Sequence, residues 1–551
     1  MREQIKHMIN NNKLLNILLL LGWITLGIAL RFTNLTDKPP SSIEISTLGF
    51  SLGNGFLAVP LDQIISLDTL LLPLAETNSN PHTVITRLMS ESNHPPFYFV
   101  LTHLWLKFIN IGDILWRGRS LSALFGVVTI PAMFAFALFT FRSLLVANIA
   151  AALMAVSPYG IYLAQEARHY TLTILWIIAS LTCLIAATRC LENKKNLPVW
   201  VGLVWVMVNS LGIATHYFFS LVLCVETLVM GGFWLRDFRL TGYWLRIFAV
   251  AMGTAIGCLV WLPVIFGISE QELTDWIETS YSLNEIWTPI PRLLAWWITM
   301  FFLLPVEGTP LPVTIFSGLI ILLVLVWVTP VIINGLKTQI TSPNSRLSML
   351  VLGGFWLGAI ALFLFLIYVM GKDVSLAARY HFVYFPVMII LLATALAICW
   401  QEKTSKKVVI VILLMGFLGS VTVITNYGYQ KHNKADLLVA QIQNNSQVPN
   451  LIAITYKTHA ELRSLIALGF EFQRQQLKNP QFILLDKNNY AGLETSSILV
   501  ETVNKIERPF DLWGVNLNTD SDDLEALNCP KSKAKINNNG YRVKLYNCLY
   551  K

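Results

Sequence analysis

Charged residues are scarce in this chain. Only 13% of its 551 residues are Asp, Glu, Lys or Arg, whereas 55% are hydrophobic. A water-soluble globular domain carries nearer to a quarter charged residues. The shortage of charge excludes an ordinary soluble protein and predicts a polytopic membrane protein.

The sequence predicts neither a metal site nor a cleavable leader. The seven cysteines show no spacing typical of a metal site, and five of them lie in or beside apolar segments, where cysteine packs as a small residue. The first apolar run, Leu14 to Leu30, follows Arg2, Lys6 and Lys13, and no A-x-A-like site comes after it. We therefore expect an uncleaved first span with the N-terminus in the cytoplasm.

Long apolar runs are abundant, and eleven of them are long enough to cross a bilayer. They cover approximately 14–31, 119–140, 143–163, 169–190, 197–214, 217–235, 246–266, 312–334, 347–370, 379–400 and 407–426.

The basic residues between these segments predict the orientation. If the N-terminus lies inside, the inside loops carry Arg142, Arg189, Lys194, Lys195, Arg236, Arg239, Arg246, Lys337, Arg346, Lys403, Lys406 and Lys407. The outside loop near 267–290 carries Glu270, Glu272, Asp275, Glu278 and Glu285, without Lys or Arg. This asymmetry follows the positive-inside rule, and the opposite orientation would destroy it. The same rule accounts for the net charge of +8, so the charge does not indicate nucleic-acid binding.

The predicted topology places a long first loop, about 32–118, and a C-terminal tail on the outer side. Within and beyond that loop, Pro96 to Ile111 and Leu293 to Leu304 are too short or too polar to span, which favours interfacial helices or re-entrant elements. We expect two domains, a membrane domain over 1–426 and a small extracytoplasmic α/β domain over 427–551.

The tail itself alternates short apolar runs with polar segments. Leu451–Tyr456, Gln481–Leu485 and Tyr541–Tyr546 are typical of strands, and Ala460–Phe470 is typical of a helix. Cys529 and Cys548 lie 19 residues apart in this tail, and an oxidising compartment would allow them to form a disulfide.

Polar side chains from separate loops share the predicted outer side. They are Glu44, Glu91 to His94, Arg117, Arg119, Gln165, Glu166, Arg168, His169, Tyr170, His216, Tyr217, Lys372, Asp373, Arg379, Tyr380 and His381. Each has an ordinary structural interpretation, such as anchoring a helix end at the lipid headgroups. Together they suit a phosphorylated lipid donor, because guanidinium groups pair with phosphate and a carboxylate can act as general base on an acceptor. Glu226, within the sixth span, is a further candidate because ionisable residues in spans are often functional.

Four segments of the sequence resemble a known family. NHPPFYFVLTHLWLKF, RSLSALFG, SPYGIYLAQEARHY and ARYHFVYFPV are similar to blocks of the protein mannosyltransferase and aminoarabinose transferase-like glycosyltransferases, glycosyltransferase family 39 and its bacterial relatives. The resemblance covers roughly 14–425. It implies the GT-C fold, an all-α polytopic membrane domain, and transfer of a sugar from a polyprenyl-phosphate donor to a lipid, glycan or protein at the outer face of the plasma (inner) membrane.

The resemblance also implies a set of site residues. We take Glu44 and Glu166 as candidates for the acid–base group. The candidates for binding the donor and its phosphate are His94, Arg117, Arg119, Arg168, His216, Tyr217, Arg379 and Tyr380. No cofactor is certain; a divalent ion, Mg²⁺ or Mn²⁺, is compatible with the family.

The chain departs from the family pattern at two acidic positions. Where the family has an Asp-Glu pair after the first span, this chain has Ile43 and Glu44, and Asn93 stands where an acidic residue often precedes HPP. This leaves three hypotheses open: a glycosyltransferase, a catalytically degenerate relative that binds a lipid-linked sugar or assists a partner, and a transporter or flippase. Transporters place ionisable groups near the bilayer midplane, whereas most such groups here lie at span ends.

Overall fold

The computed structural model describes residues 2–237, 242–261, 277–279, 281–282, 284–402, 405–476, 480–487, 494–518, 524 and 528–550. The chain divides into two compact units. The membrane unit comprises Met1–Leu35, Arg119–Glu270 and Thr274–Gln430. The sheet unit comprises Thr36–Gly118, Gln271–Leu273 and Lys431–Lys551.

Helices make up most of the described chain. They are α1 Arg2–Phe32, α2 Ser42–Ser51, α3 Leu67–Leu70, α4 Pro81–Glu91, α5 Phe97–Phe108, α6 Ile114–Phe141, α7 Leu144–Val156, α8 Pro158–Ala164, α9 Tyr170–Glu192, α10 Val199–Thr215, α11 Phe219–Asp237, α12 Gly242–Leu259, α13 Pro289–Thr299, α14 Leu311–Thr341, α15 Pro343–Tyr368, α16 Phe385–Gln401, α17 Lys406–Ile424, α18 Ala435–Asn445, α19 His459–Arg474 and α20 Glu494–Lys505. Short 3₁₀ helices cover Leu72–Leu74, Val374–Leu376 and Ala378–Val383. The strands are β1 Ile64–Ile65, β2 Asn450–Tyr456, β3 Gln481–Asp486, β4 Phe510–Val515 and β5 Val543–Cys548.

The long apolar helices of the membrane unit are those of an integral membrane protein. Within the described residues, eight helices are long and apolar enough to cross a bilayer, or nine if the bent pair α7 and α8 is one span. The shorter apolar helices α10 and α16 complete the match with the eleven predicted segments. Arg239, Glu270, Glu272, Asp275 and Lys403, which contributed to the predicted orientation, lie outside the described residues.

The third predicted span is bent by 56° between α7 and α8, where a single segment over 143–163 was expected. The cause is Pro158, which has no N–H to donate to the carbonyl of Met154 four residues earlier. Ser157 caps the new helix by accepting from the Gly160 N–H at 3.2 Å. The freed carbonyls find other donors: Arg31 Nη2 reaches Met154 O at 2.8 Å and Arg31 Nη1 reaches Ala155 O at 3.1 Å.

Helix α16 lies at the centre of the membrane unit, packed on α7, α14 and α17. Its residues are almost continuously buried, which explains why a helix of only 17 residues is apolar on every side. Gly335 of α14 comes so close to α16 that a Cβ there would lie 2.7 Å from Ala395 O. Small residues of this kind allow two membrane helices to approach each other closely.

The sheet unit is built on a five-stranded sheet of order β1-β3-β2-β4-β5. Strands β2, β3 and β4 are parallel, and β1 and β5 add antiparallel edges. The β2 residues Leu451 and Ala453 face a core that includes Leu499 and Val503 of α20, while α19 also packs on β2. Helices on the strands explain why β2 and β4 are buried almost throughout.

The predicted fold class, an all-α membrane domain with a small α/β domain, is confirmed. Leu451–Tyr456, Gln481–Leu485 and Ala460–Phe470 correspond to β2, β3 and α19, and the last strand begins two residues later than the predicted Tyr541. The predicted segment Pro96 to Ile111 contains α5, and the predicted segment Leu293 to Leu304 overlaps the second half of α13, which begins earlier, at Pro289. Cys529 and Cys548 form a disulfide with an S–S distance of 2.02 Å.

The compact units are drawn differently from the predicted domains. Residues of the first long loop, 36–118, belong with 431–551, and β1 from that loop pairs with β3, with Ile64 opposite Ile483. The domain boundary between 1–426 and 427–551 therefore stays a prediction. The sheet unit combines stretches from separate parts of the chain.

Candidate active site

The turn between α8 and α9 carries two buried charged residues of the membrane unit, Glu166 and Arg168. Helix α8 stops at Ala164, and α9 starts at Tyr170. Ser122 of α6 holds the intervening turn, since its hydroxyl donates to Arg168 O at 3.0 Å and its oxygen accepts from the Arg168 N–H at 3.2 Å. The side chains of Glu166 and Arg168 are buried in this turn, with 3% and 4% exposure.

A second segment, the 3₁₀ helix Ala378–Val383, supplies Arg379 and Tyr380. Tyr159 of α8 fixes its start by donating a hydrogen bond to Ala378 O at 2.9 Å. The Arg379 guanidinium lies over the Tyr380 ring, 5.2 Å from its centroid, and Tyr380 stacks on Phe218 with ring centroids 4.4 Å apart. The segment thus presents a cation backed by two stacked rings.

These segments bring five of the predicted site residues together. These residues are Glu166, Arg168, His216, Arg379 and Tyr380. Arg379 interacts electrostatically with Glu166 and Tyr380, and His216 lies close enough to Arg168 and Arg379 to interact with both positive charges. The pKa of His216 is held well below its usual value, mainly because the ring is buried and also because Arg168 and Arg379 repel a proton. The imidazole is therefore neutral. In agreement with a neutral ring, His216 Nδ1 accepts from the Phe218 N–H at 3.0 Å.

Aromatic rings surround this cluster. His169 packs edge-on against His216 with centroids 4.2 Å apart, and Arg168 lies 5.8 Å from the centroid of Tyr170. Tyr162 stacks on Tyr429 at 4.7 Å. Two guanidinium groups, one carboxylate and several rings with hydroxyl or imidazole groups can bind a phosphate and an adjacent polar group, because guanidinium forks match phosphate oxygens.

Two other predicted site residues of the membrane unit have contacts of a different kind. Tyr217 packs against Trp261 with ring centroids 6.5 Å apart. Arg119 is fully buried and donates from Nη1 to the carbonyl of Leu35 at 2.9 Å. One arm of Arg119 therefore supports the chain just beyond the end of α1.

The sheet unit holds the remaining predicted site residues. Glu44 is fully buried in the first turn of α2, where its Oε2 accepts from the Ser41 N–H at 3.0 Å and the Ser41 hydroxyl at 3.1 Å. The same oxygen lies 3.1 Å from Lys431 Nζ. The carboxylate thus completes a capping box and balances a buried ammonium group.

His94 and Arg117 also have partners within the sheet unit. His94 Nδ1 lies 3.0 Å from the Ser92 hydroxyl, and its ring meets Phe99 edge-on. Arg117 forms an ion pair with Glu76. These contacts tie the side chains to neighbouring parts of their own unit.

Sequence reasoning missed three residues of these clusters. Tyr162 and Tyr429 form the aromatic stack, and Lys431 balances Glu44. Tyr162 lies inside the SPYGIYLAQEARHY segment, so that segment was a usable signal. Nothing local marks Lys431, which lies in the polar tail after the last span and 387 residues from its partner.

Glu226 belongs to a separate buried network inside the helix bundle. Its Oε1 accepts from the Ser180 hydroxyl at 2.6 Å, and its Oε2 lies 3.3 Å from the indole nitrogen of Trp205. Asn209 joins through Ser180, at 2.7 Å. The network links α9, α10 and α11, which gives Glu226 a structural role in holding the bundle together.

Metal ligands are not grouped together among the described residues. No three His, Cys, Asp or Glu side chains among them lie close enough to hold a divalent ion. We derive no chemical step through a metal.

Comparison with known proteins identifies the fold. Neither a protein-family model nor a curated protein sequence matches the chain. Among solved structures, ArnT from Cupriavidus metallidurans in the apo state has 12% identity over 98% of both chains, with a TM-score of 0.51. The same enzyme bound to undecaprenyl phosphate matches with 14% identity over 98% of both chains and a TM-score of 0.49.

A further match is the Archaeoglobus fulgidus oligosaccharyltransferase in complex with Zn and sulfate, with 12% identity over 90% of this chain and 68% of that chain, and a TM-score of 0.49. At such low identity these similarities concern the fold alone. The chain has the fold of apo ArnT, which agrees with the GT-C fold that the four sequence segments predict.

Proposed function

We propose that this protein is a membrane glycosyltransferase that moves a sugar from a polyprenyl-phosphate donor to an acceptor. The observation that carries the proposal is the cluster of Glu166, Arg168 and Arg379 in the membrane unit. The fold shared with apo ArnT supports it, as does the resemblance of the four sequence segments.

Arg168 and Arg379 are proposed to bind the phosphate of the donor. Both belong to turns at the ends of membrane helices, where the headgroup of a lipid anchored in the bilayer would lie. Their two positive charges stabilise the negative charge that develops on the phosphate as it leaves. Tyr380 and its stacked partner Phe218 hold Arg379 in place.

Glu166 is proposed as the general base. The acceptor oxygen or nitrogen forms a bond to the anomeric carbon of the sugar while the bond between that carbon and the phosphate oxygen breaks. The proton of the acceptor passes to the Glu166 carboxylate and then to water, and polyprenyl phosphate is released with the bonding electron pair. The product keeps the sugar on the acceptor, which is a hydroxyl or amine of a lipid, glycan or protein.

Glu44 is a weaker candidate for this role than Glu166. Its carboxylate balances the ammonium group of Lys431 and accepts two hydrogen bonds from Ser41. Protonating a carboxylate in a buried ion pair leaves the partner charge unbalanced, which is costly. We therefore assign Glu44 to the support of α2.

The experiment tests binding and turnover separately. Purified full-length protein in phosphatidylcholine vesicles is given undecaprenyl phosphate carrying radiolabelled glucose, mannose or 4-aminoarabinose, together with a membrane extract as acceptor source. Binding of unlabelled undecaprenyl phosphate is measured in parallel. Arg379→Gln should weaken lipid binding at least tenfold, and Glu166→Gln should keep binding but lower turnover at least a hundredfold. Arg346→Gln, an exposed arginine at the start of α15, is the matched control and should behave as wild type.

A catalytically degenerate binder is the second candidate, and the pairing of Glu44 with Lys431 beside Ile43 is the observation that favours it. It predicts lipid binding that depends on Arg379 but no turnover with any donor. Binding that is indifferent to Arg379→Gln would contradict both candidates.

We further propose that the protein lies in the plasma (inner) membrane with a cytoplasmic N-terminus and an extracytoplasmic tail. The charge asymmetry of the loops supports this orientation. The disulfide between Cys529 and Cys548 supports it as well, since such bonds persist in oxidising compartments.

A further inference from the structure

A polar groove lies at one edge of the central sheet of the sheet unit. The parallel strands lie in the order β3-β2-β4. The chain therefore passes from β2 to β3 on one side and from β3 to β4 on the other side of β2, which makes β2 the point at which the strand order reverses. In open α/β sheets, ligands bind outside the carboxyl ends of the strands at this switch point. The groove has a volume of about 710 Å³ and is lined by Thr455 and Lys457 at the end of β2, by Lys487 after β3, and by Asn516 and Asn518 after β4.

The opposite wall of the groove is the segment 538–542 that leads into β5. It is fixed against residues 432–434, because the Lys434 N–H donates to Asn539 O at 2.9 Å. Gly540 has a φ of +84°, and a Cβ there would lie 2.0 Å from His432 O. Only glycine allows the two stretches of chain to come so close. The wall is therefore held by backbone contacts.

The two walls are also bonded to each other across the base of the groove. Asn516 adopts a left-handed conformation, with a φ of 52°. Its Oδ1 accepts from the Arg542 N–H at 2.8 Å, and its own N–H donates to Arg542 O at 2.8 Å. The Asn518 N–H donates to the Thr455 hydroxyl at 2.9 Å, which joins the ends of β2 and β4. The groove is thus shaped before any ligand arrives.

The charge on the lining side chains is positive. Among the described residues that line the groove, Lys457, Lys487 and Arg542 contribute three cations and Glu461 is the one acid. The Glu461 carboxylate accepts from the N–H and the hydroxyl of Thr458, both at 2.8 Å, so it serves the capping box of α19. The balance favours an anionic ligand.

The neutral lining groups indicate the rest of the ligand. The asparagine side chains at 433, 516, 518 and 538 supply amide groups that donate and accept, and Thr455 and Tyr541 add hydroxyls. Such groups suit a ring that carries several hydroxyls. The volume lies in the range of about 300–1,000 Å³ that is usual for small-molecule sites. We propose that this groove is a second binding site, for a sugar that carries a phosphate or a carboxylate.

The residues that line this groove belong to the sheet unit, whereas the residues proposed to carry the transfer reaction belong to the membrane unit. The test uses the full-length protein in nanodiscs of phosphatidylcholine, which contain neither sugar detergent nor anionic lipid. Binding of glucose 6-phosphate, glucuronate, glucose and inorganic phosphate is measured by titration calorimetry and by saturation-transfer NMR. The variants are Lys487→Gln and Arg542→Gln, both exposed at the rim, with Lys544→Gln as the control, an exposed lysine of β5 outside the groove.

We expect glucose 6-phosphate or glucuronate to bind more tightly than glucose and than inorganic phosphate. Each of the two groove variants should weaken that binding at least fivefold, and the Lys544 variant should leave it unchanged. Equal binding of inorganic phosphate and glucose 6-phosphate would overturn the sugar part of the proposal. Binding that all three variants leave unchanged, or no binding of any probe at 20 mM, would overturn the site itself.

Discussion

At the scale of single residues, the buried pair of Glu44 and Lys431 determines how the first acidic position after α1 is interpreted. Removing one partner of a buried ion pair leaves the other charge uncompensated and costs about 3–5 kcal/mol, whereas replacing both partners is much less costly. We expect Lys431→Met and Glu44→Gln each to lower the thermal unfolding temperature of the purified protein. The double variant should recover a large part of the loss.

The same variants separate a structural from a catalytic role of Glu44. If Glu44 only supports α2, the double variant should retain sugar transfer as well as stability. Transfer that is abolished in a double variant as stable as wild type would instead make Glu44 the acid–base group. Additive losses of stability would contradict the ion pair.

His216 gives a prediction about pH. Burial and the charges of Arg168 and Arg379 lower its pKa in the folded protein, so the unfolded chain takes up a proton near pH 6.5 that the folded protein does not. Stability should therefore fall as the pH drops below about 6.5, by at most about 1.4 kcal/mol per pH unit for this group, and should not depend on it above pH 7. Unfolding temperatures measured from pH 7.5 to 5.0 check this.

The matched variant is His216→Asn, because an Asn oxygen can accept from the Phe218 N–H as Nδ1 does. Its stability should fall less steeply below pH 6.5 than that of wild type. Burial also lowers the pKa of His381, to about 3, so a shallower slope should remain in the variant. Parallel curves for the two proteins would show that His216 does not titrate as described.

At the scale of elements, the break between α7 and α8 depends on a side chain from α1. Arg31 is fully buried and donates to two of the carbonyls that the bend leaves without helical partners, those of Met154 and Ala155. Hydrogen bonds from a charged group contribute about 1.5–3 kcal/mol each. Arg31→Met should therefore lower stability by about 3 kcal/mol or more, measured by thermal unfolding in detergent. Arg236→Met, at an exposed arginine of α11, should change it by less than about 0.5 kcal/mol.

The elements that the sequence predicts well are those set by long apolar runs. All eleven predicted segments correspond to helices, since a run of about 20 apolar residues leaves few other structures open. The bend at Ser157 was missed because hydropathy does not record that Pro158 removes one donor. Strand β4 and helix α2 were missed because Asp511 and Glu44 interrupt their apolar patterns, and both acids are buried with partners elsewhere in the sheet unit.

The candidate site was predictable where its residues lie close together in sequence. Glu166 and Arg168 come from one turn, and Arg379 and Tyr380 come from one short helix. The stack of Tyr162 on Tyr429 and the pairing of Glu44 with Lys431 join residues hundreds of positions apart. Such pairs follow only from the tertiary structure.

At the scale of the whole molecule, two independent features support the proposed orientation in the membrane. Basic residues collect in alternate loops, among them Lys194 and Lys195 after α9, and the tail contains a disulfide. The first feature predicts a cytoplasmic position for the loop after α9. The second predicts an oxidising compartment for the tail. These two predictions are compatible only if the chain crosses the membrane an odd number of times between the loop after α9 and the tail.

The orientation can be tested with single cysteines in a variant that lacks the five free cysteines. Asn193→Cys reports the loop after α9, and Lys533→Cys reports the tail. A membrane-impermeant maleimide applied to right-side-out vesicles should label the cysteine at 533 at once and the cysteine at 193 only after lysis. Labelling of both sites before lysis would mean that the vesicles leak, and retention of an entrapped membrane-impermeant fluorescent dye excludes that case. Labelling of the cysteine at 193 alone in sealed vesicles would contradict the proposed orientation and the expectation from the sequence that the donor is used at the outer face.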